Sequence, residues 1–275
     1  MPNFFACPEV AARYSRIRPF FHRKVTERIC GVSGASRFRR ALDVGCGTGQ
    51  SAVALAEIAD SVLAIDSSEE MLAQGPFRSN IEYRIGWAEQ LNFGRGEFDL
   101  VSVGSALHWF NRERFFAQCR QVLSAAGWLA IYNDHFTAYM EGVAGFKQWM
   151  RTRFAQRYPA PLRGLRDMDE PSAAAAGFRI AHASSFTHLV RFSRAELIAY
   201  LLTHSNTLAA IYLEKETAPA ISAWLDQELR TFLPHRVTGS FIFKCNVWLL
   251  QAGGPARGDE NGLRAPGPSP ALLSR

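Results

Sequence analysis

Short apolar runs alternate with amphipathic segments over the first half of the chain. Five of these runs have the length and composition of β-strands, and they lie at 41–44, 61–66, 81–86, 98–104 and 127–134. Segments with helical periodicity, such as 48–59 and 111–123, separate them. Strands and helices that alternate with short links predict an α/β fold with a doubly wound, mostly parallel sheet.

The regular alternation lapses after residue 135. Residues 136–170 have a helical, basic pattern that two prolines interrupt, and this predicts a helical cap inserted after the fifth strand. Strand patterns then return, and the later elements are expected at 178–192 and 240–251 (strands) and near 193–206 and 208–233 (helices). The complete sheet is therefore predicted to have seven strands.

The N-terminal segment 8–31 also has a helical pattern, which Pro19 interrupts. Proline has no N–H to donate and restricts the preceding residue to extended geometry. We therefore expect two short helices that meet at Arg18 and Pro19.

Composition narrows the class of protein. The 275 residues are 48% hydrophobic and 20% charged, which is typical of a soluble globular chain, and no run approaches the length needed to span a bilayer. The formal charge of +6 favours acidic small molecules or nucleic acid as partners without choosing between them. The five cysteines are scattered without C-x-x-C spacing, so neither a zinc site nor a disulfide framework is expected. We expect a cytoplasmic location and no membrane partner.

The segment Ala41–Gln50, ALDVGCGTGQ, carries the strongest functional signal. Its alternate glycines join a strand to a helix, where the backbone turns tightly and approaches a ligand without Cβ clashes. Asp66 ends the next strand, at the position where an acid accepts hydrogen bonds from ribose hydroxyls. The alternative is a turn that binds nothing, with Asp66 capping the next helix. A dinucleotide-binding loop would have its third glycine at position 50, which is Gln50 here.

This G-x-G-x-G form, preceded by Asp43, resembles the first motif of the Rossmann-like (class I) S-adenosylmethionine (SAM) methyltransferases. LAIDSSEEML (63–72), IGWAEQL (85–91) and FDLVSVGSALHWF (98–110) resemble later motifs of the same family. Within the family, YSRIRP (14–19), SALHWF (105–110) and LIAYLLTHSN (197–206) resemble a small-molecule subgroup that includes trans-aconitate methyltransferases.

The resemblance implies a division of the chain and a set of cofactor-binding residues. The expected parts are N-terminal lid helices (1–39), a SAM-binding Rossmann-like core (40–135), a helical cap insertion (136–177), the rest of the core sheet with pocket helices (178–251) and a disordered tail (252–275). The implied cofactor-binding residues are Tyr14, Arg18, Asp43, Gly45, Cys46, Gly47, Gly49, Asp66, Ser67, Met71, Trp87, Ala88, Glu89, Ser105 and Trp109.

Several of these residues have particular expected roles. Asp66 binds the ribose, and Met71 lies beside the adenine. Many relatives have an aspartate after the third strand for the adenine amino group, whereas this chain has Gly86 and Trp87. Because tryptophan accepts no hydrogen bond, we expect adenine to stack on Trp87 and to bond to the backbone near Ala88, unless Trp87 is simply a core residue.

The sulfonium and the methionine carboxylate also have expected partners. Tyr14 and Trp109 are candidates to face the sulfonium charge with an aromatic ring. Arg18 is placed to pair with the carboxylate. The alternative for Tyr14 and Arg18 is an ordinary helix surface.

The acceptor side carries weaker signals. His108 follows the fourth strand and is the candidate general base, or else a histidine that shapes the pocket floor. Further candidate substrate residues lie at strand and helix ends, and these are Asp134, His135, His204 and Asn206. Structural roles are expected for His22, His182, His188 and His235. The basic stretch 147–166 either steers an anionic substrate or is a solvated helix face.

The sequence thus predicts a SAM-dependent methyltransferase that acts on a small molecule, anionic or neutral, by in-line displacement. O-methylation of a carboxylate or hydroxyl is favoured, and N- or C-methylation of a natural-product intermediate is the alternative. A nucleic-acid methyltransferase is disfavoured because no [DNS]-P-P-[YFW] tetrapeptide and no Pro-Cys nucleophile occur. A nicotinamide-dependent oxidoreductase is disfavoured by Gln50, while a binding module without transfer stays open. We expect no metal, no nucleic-acid partner, and a monomer or homodimer.

Overall fold

The first five apolar runs form adjacent strands, and two later strands extend the same sheet. This computed structural model describes residues 4–164 and 167–252. The strands are β1 (Phe38–Val44), β2 (Ala59–Asp66), β3 (Ile81–Ile85), β4 (Phe98–Gly104), β5 (Leu123–Met140), β6 (Phe178–Ser193) and β7 (Thr238–Ala252). Their order is β3-β2-β1-β4-β5-β7-β6. Neighbours among β1 to β5 pair in parallel, and β7 runs antiparallel to both β5 and β6. The predicted α/β fold with a mostly parallel, doubly wound sheet is confirmed.

Short helices connect and cover these strands. They are α1 (Pro8–Ile17), α2 (His22–Ser33), α3 (Gln50–Ala56), α4 (Glu69–Leu72), α5 (Arg112–Val122), α6 (Phe146–Trp149), α7 (Ala155–Arg157), α8 (Glu170–Ala175), α9 (Arg194–Leu201), α10 (Ser205–Tyr212) and α11 (Ala218–Leu229). A π-helical turn at Met150–Phe154 joins α6 to α7, and a 3-10 turn at Leu107–Trp109 follows β4. The predicted break between two N-terminal helices is present, because Arg18 is extended (φ −69°, ψ 132°) where α1 ends.

Two segments differ from the sequence prediction. The helical pattern expected from residue 136 is wrong up to Met140, because β5 continues to that residue. Its extension pairs with β7 from Phe136 to Met140 across a register shift, where Ala138 has φ +57°. Partners about a hundred residues away supply these hydrogen bonds, so the local pattern does not reveal them. The sequence predicts two helices across 193–233, whereas the structure has three helices there, α9 to α11.

The topology creates one crevice in the sheet. From β1 the chain moves outward through β2 and β3, and it then returns to place β4 on the other side of β1. At such a reversal the loops after two neighbouring strands diverge, and ligands bind at the carboxyl ends of those strands. A second buried cluster, which includes Phe146, Trp149 and Leu225, packs the cap against α9 and α11. The predicted disordered tail lies outside the described residues from residue 253 onward.

Candidate functional site

The loop after β1 is folded around glycines in the left-handed region. Gly45, Gly47 and Gly49 have φ values of +69°, +55° and +79°. A Cβ on Gly45 would lie 2.7 Å from the Ala106 Cβ, and one on Gly49 would collide with the ring of Tyr83. Only glycine satisfies both the backbone conformation and these close approaches. The G-x-G-x-G pattern is therefore a requirement of this turn.

Asp66 ties this loop to the end of β2. Its Oδ2 accepts the Gly47 N–H at 2.8 Å, and its Oδ1 accepts the Ser68 N–H at 3.0 Å. Burial raises the pKa of the Asp66 carboxyl, while the backbone N–H groups of Ser68 and Gly47 oppose that rise. Ser68 caps α4, since its hydroxyl accepts the Met71 N–H. Asp66 therefore lies beside the helix start without being its cap.

A cleft of about 480 Å³ opens above this loop. It is lined by Phe4, Phe5, Tyr14, Gly45, Gly47, Asp66, Ser67, Met71, Gly86, Trp87, Ala88, Glu89, Gly104, Ser105, Ala106, Trp109 and Phe110. Most of the predicted cofactor-binding residues are in this set. Trp87 is 54% exposed, so the alternative that it is a core residue is wrong. The Glu89 carboxylate accepts the Asn111 N–H at 2.7 Å and is held at the cleft wall.

Two predicted cofactor-binding residues do not line this cleft or either of the two cavities beside it. Asp43 is completely buried beneath the loop, where it accepts a hydrogen bond from the Ser51 hydroxyl at 2.5 Å. Burial raises the pKa of the Asp43 carboxyl to about 7. Gly49 packs on Tyr83 and precedes α3 as its N-cap. Asp43 is itself a residue of β1 and Gly49 is the residue before α3, so both support the loop without lining any of the three spaces.

Two smaller cavities adjoin the cleft. The second cavity, of about 190 Å³, is lined by Phe5, Tyr14, Arg18, Ser105, His108, Trp109, Asn133, Asp134, His135, Phe136, Arg163, Tyr200, His204, Ser205 and Asn206. The third cavity, of about 80 Å³, is lined by Tyr14, Arg18, Pro19, Phe21, His22, Gly45, Cys46, Gly47, Thr48, Gln50, Ser51, Gly104, Ser105, Asp134, Tyr200 and Phe243. Tyr14 and Ser105 line all three spaces, so the cleft and both cavities meet there.

Arg18 lies where both smaller cavities meet. Its guanidinium stacks between two rings, 4.6 Å from the Tyr14 centroid and 5.0 Å from the Tyr200 centroid. Its Nε and Nη2 donate to the side-chain and backbone oxygens of Thr203 at 2.9 and 2.8 Å. The alternative of an ordinary helix surface is wrong for Arg18, since the helix end is fixed to the segment between α9 and α10.

The candidate acceptor residues surround the second cavity. His108 is buried in the 3-10 turn after β4, with its ring 4.9 Å from that of Trp109. His135 lies near the end of β5, and His204 precedes α10. Asn206 donates to the Tyr158 carbonyl at 2.7 Å, which links α10 to the cap. The fold thus brings together side chains that are far apart in the sequence.

The sequence analysis missed several residues of this region. Phe4 and Phe5 cover the cleft beside Trp109, with ring centroids 6.2 and 6.1 Å from it. His188, expected to be structural, contacts a candidate residue directly, because its Nε2 lies 2.9 Å from Asp134 Oδ1. The sequence places His188 on a strand, but its contact with Asp134 becomes apparent only from the pairing of both β5 and β6 with β7.

Three of the basic residues of the cap differ in their surroundings. Arg153 pairs with Glu228 at 2.7 Å, and Arg157 pairs with Glu216 at 2.6 Å, so two of the charges are balanced at the surface. Arg163 instead lines the second cavity, with its guanidinium 5.8 Å from the Trp109 ring centroid. Arg166 lies outside the described residues.

Two negative findings concern the part of the chain that the structure describes. Across 4–164 and 167–252, no group of three or more histidine, cysteine or acidic side chains is arranged to hold a metal ion. Within the same ranges, no helix combines the length and the apolar character needed to cross a bilayer.

Comparison with known proteins identifies the fold and the type of domain. The structure superposes on that of an Anaeromyxobacter dehalogenans protein assigned as a type II methyltransferase, with a TM-score of 0.65, 19% identity, and coverage of 86% of this chain and 98% of the other. The fold is therefore that of the Rossmann-like methyltransferases. Residues 42–131 match the family model described as "Methyltransferase domain".

Two relatives agree with this match. A Dictyostelium discoideum protein assigned as a methyltransferase is 29% identical over 124 residues, which are 45% of this chain and 47% of the relative. An uncharacterized methyltransferase of Synechocystis sp. is 35% identical over 105 residues, 38% of this chain and 46% of the relative. The chain thus spans about half the length of these curated relatives.

Proposed function

We propose that the protein is a SAM-dependent methyltransferase that transfers a methyl group to a small-molecule acceptor. O-methylation of a carboxylate or hydroxyl is favoured. The observation that carries the proposal is the cleft at the carboxyl ends of β1, β2 and β4, where the glycine loop and Asp66 form one wall. The methyltransferase fold and the match over 42–131 agree with this use of the cleft.

The cleft fits the adenosine part of the cofactor. Its volume of about 480 Å³ is in the range of small-molecule sites. Backbone N–H groups of Gly47, Ser67 and Ser68 bond to the Asp66 carboxylate, whose two oxygens together have about four acceptor sites and so keep capacity for a ribose hydroxyl. The half-exposed face of Trp87 and the side chain of Met71 offer apolar contacts to a flat base.

The reaction requires alignment more than acid–base chemistry. When bound, the cofactor supplies a methyl group on a sulfonium, which is already activated for displacement. The protein's part is to hold the acceptor in line and to exclude water, and such positioning supplies roughly 7–11 kcal/mol in favourable cases. Tyr14 and Trp109 line both the cleft and the second cavity, so their rings are placed to face a cation at that junction.

The second cavity is the proposed acceptor site. It adjoins the cleft through Tyr14, Ser105 and Trp109 and has room for a small molecule. A carboxylate acceptor needs no base, whereas a hydroxyl must lose a proton, for which His108 is the candidate. The cation Arg163 in its wall favours an acceptor that carries negative charge.

Calorimetric titration with S-adenosylhomocysteine tests the cofactor assignment. Asp66→Ala is expected to weaken binding about 30-fold, or about 2 kcal/mol, because two hydroxyls lose a charged partner. Asp60→Ala is the matched control, since Asp60 is an exposed acid at the opposite end of β2. Unchanged affinity in the Asp66 variant, or binding of NADH in place of the nucleoside by the wild type, contradicts the proposal.

A transfer assay tests the acceptor class. Incubation with methyl-labelled SAM and a panel of small carboxylic acids, phenols and amines is expected to label an acid or hydroxyl compound. Labelling is expected to persist when a metal chelator is added. Loss of labelling with the chelator would indicate a different, metal-dependent site. Labelling of nucleic acid alone would overturn the small-molecule assignment.

A further inference from the structure

The third cavity lies between two side chains of opposite charge. The sequence resemblance already implies that Arg18 pairs with the carboxylate of the cofactor's amino-acid end. We propose that Asp134 holds the ammonium of that end in this cavity, and that His188 is the positioning residue for the Asp134 carboxylate. This inference rests on the proposed function and assigns Asp134 to the cofactor, although the sequence suggested a contact with substrate.

The location of the cavity is the first step. It shares Gly45, Gly47 and Gly104 with the cleft, so it opens directly from the glycine loop. A chain attached to the ribose above that loop enters either this space or the second cavity. The third cavity, at about 80 Å³, suits a few heavy atoms and leaves the larger second cavity for an acceptor.

The charges of the third cavity match an amino acid. Among the described residues that line it, Arg18 is the only arginine or lysine and Asp134 the only aspartate or glutamate. Burial lowers the pKa of His22 to about 3, so that histidine is neutral at physiological pH. One cation and one anion facing a small buried space are complementary to a zwitterion, which would be costly to bury without partners.

Both charged groups are held in place. Two of the Arg18 nitrogens, Nε and Nη2, are bonded to Thr203, and Nη1 is not used in these bonds. The Asp134 N–H donates to the Ser105 hydroxyl at 3.1 Å, which fixes the backbone at the site. Ser105 itself has φ +53°, an uncommon conformation for a serine, where β4 ends against this loop.

His188 orients the carboxylate of Asp134. Its Nε2–H is placed to donate to Asp134 Oδ1 at 2.9 Å, and the two side chains are only 9% and 7% exposed. The His188 ring is stacked between Phe21 and Phe243, with centroids 5.5 and 5.4 Å away. Because these rings restrict its rotation, the bond fixes one oxygen of Asp134 and leaves the other, Oδ2, to be directed at a ligand.

The test compares two nucleosides in the folded, full-length protein. S-adenosylhomocysteine carries the zwitterion, and 5′-methylthioadenosine lacks it. Asp134→Asn is expected to weaken binding of S-adenosylhomocysteine about 10- to 30-fold and to leave that of methylthioadenosine unchanged. His188→Leu should reduce the same affinity ratio about 3- to 10-fold, and His188→Gln, which keeps a donor, should restore part of it.

A matched control and the possible outcomes complete the experiment. His182→Gln changes another histidine of β6 that lines none of the three spaces, and it should leave the ratio unchanged. An unchanged ratio in Asp134→Asn, or equal weakening of both nucleosides, overturns the inference. If the wild type binds both nucleosides equally well, this inference fails while the proposed function stands. If the folded wild type binds neither, the proposed function fails as well.

Discussion

The cleft and the second cavity are built in different ways. Apart from Phe4, Phe5 and Tyr14, all the residues that line the cleft lie between 45 and 110, and six of them are glycines or alanines at or just after the ends of β1, β3 and β4. The second cavity is lined by side chains from α1, β5, the cap and α10, which meet only in the folded chain. A wall formed by a short stretch of the chain leaves motifs in the sequence, whereas a wall of distant side chains does not.

The two spaces also differ in charge. Asp66 and Glu89 are the acids of the cleft wall, and no lysine or arginine lines it among the described residues. The second cavity has Arg18 and Arg163 against the single acid Asp134. A cationic cofactor beside an anionic acceptor is the arrangement that this separation of charge favours.

The largest expected effect comes from the backbone of the cleft. In Gly45→Ala the new Cβ would lie 2.7 Å from the Ala106 Cβ, at a residue with φ +69°. The left-handed conformation and the overlap together are expected to lower the free energy of unfolding by about 3 kcal/mol. Chemical denaturation measures this loss, and titration with S-adenosylhomocysteine should show weaker binding in the protein that stays folded.

Gly31→Ala is the control for this change. Gly31 lies inside α2, and a Cβ there meets nothing within 4 Å. Alanine is the better helix former, so stability should stay the same or rise by roughly 0.5–1 kcal/mol. Equal effects of the two substitutions would show that the loop after β1 does not depend on glycine, and the contrast between the cleft and the second cavity would be lost.

A smaller effect is expected from the one large exposed ring of the cleft. Trp87→Ala should weaken binding of S-adenosylhomocysteine by about 1–2 kcal/mol, the usual cost of losing an aromatic partner for a base. Because Trp87 is 54% exposed, the unfolding midpoint should change little. Phe77→Ala removes an 86% exposed ring that lines none of the three spaces and should leave the affinity unchanged. If both variants bind equally well, adenine does not stack on Trp87.

The elements near the cleft were predictable because their signals are local. The strands β1 to β5 begin or end within a few residues of the apolar runs that predict them, except where β5 continues past residue 134. Asp66 was placed correctly because the acid at the end of β2 and the glycines after β1 lie at the same edge of a parallel sheet. Ser68 is the cap of α4, so the alternative in which Asp66 caps that helix is wrong.

The remaining features depend on long-range pairing. The extension of β5 depends on its pairing with β7, and the contact of His188 with Asp134 depends on the registers of both β5 and β6 with β7. Arg18 bonds to Thr203, which lies 185 residues away in the sequence. No window of the sequence contains both partners of such a contact. For the same reason, neither Phe4 nor Phe5 carries a signal that it covers the cleft, since each reads as part of an ordinary apolar terminus.

The smallest expected effect comes from comparing an arginine in the wall of the second cavity with an arginine at the surface of the cap. Arg163→Gln should lower kcat/KM for a carboxylate-bearing acceptor about 3-fold, less than 1 kcal/mol, because one cation leaves the cavity wall. Arg153→Gln should have no effect, since Arg153 is 62% exposed and its charge is balanced by Glu228. Steady-state kinetics at low and high salt measure both, and the difference should shrink as salt screens the charge. Equal kinetics of the two variants with such an acceptor would mean that the charge of the second cavity plays no part in substrate choice, and the cation-lined wall would then be only structural.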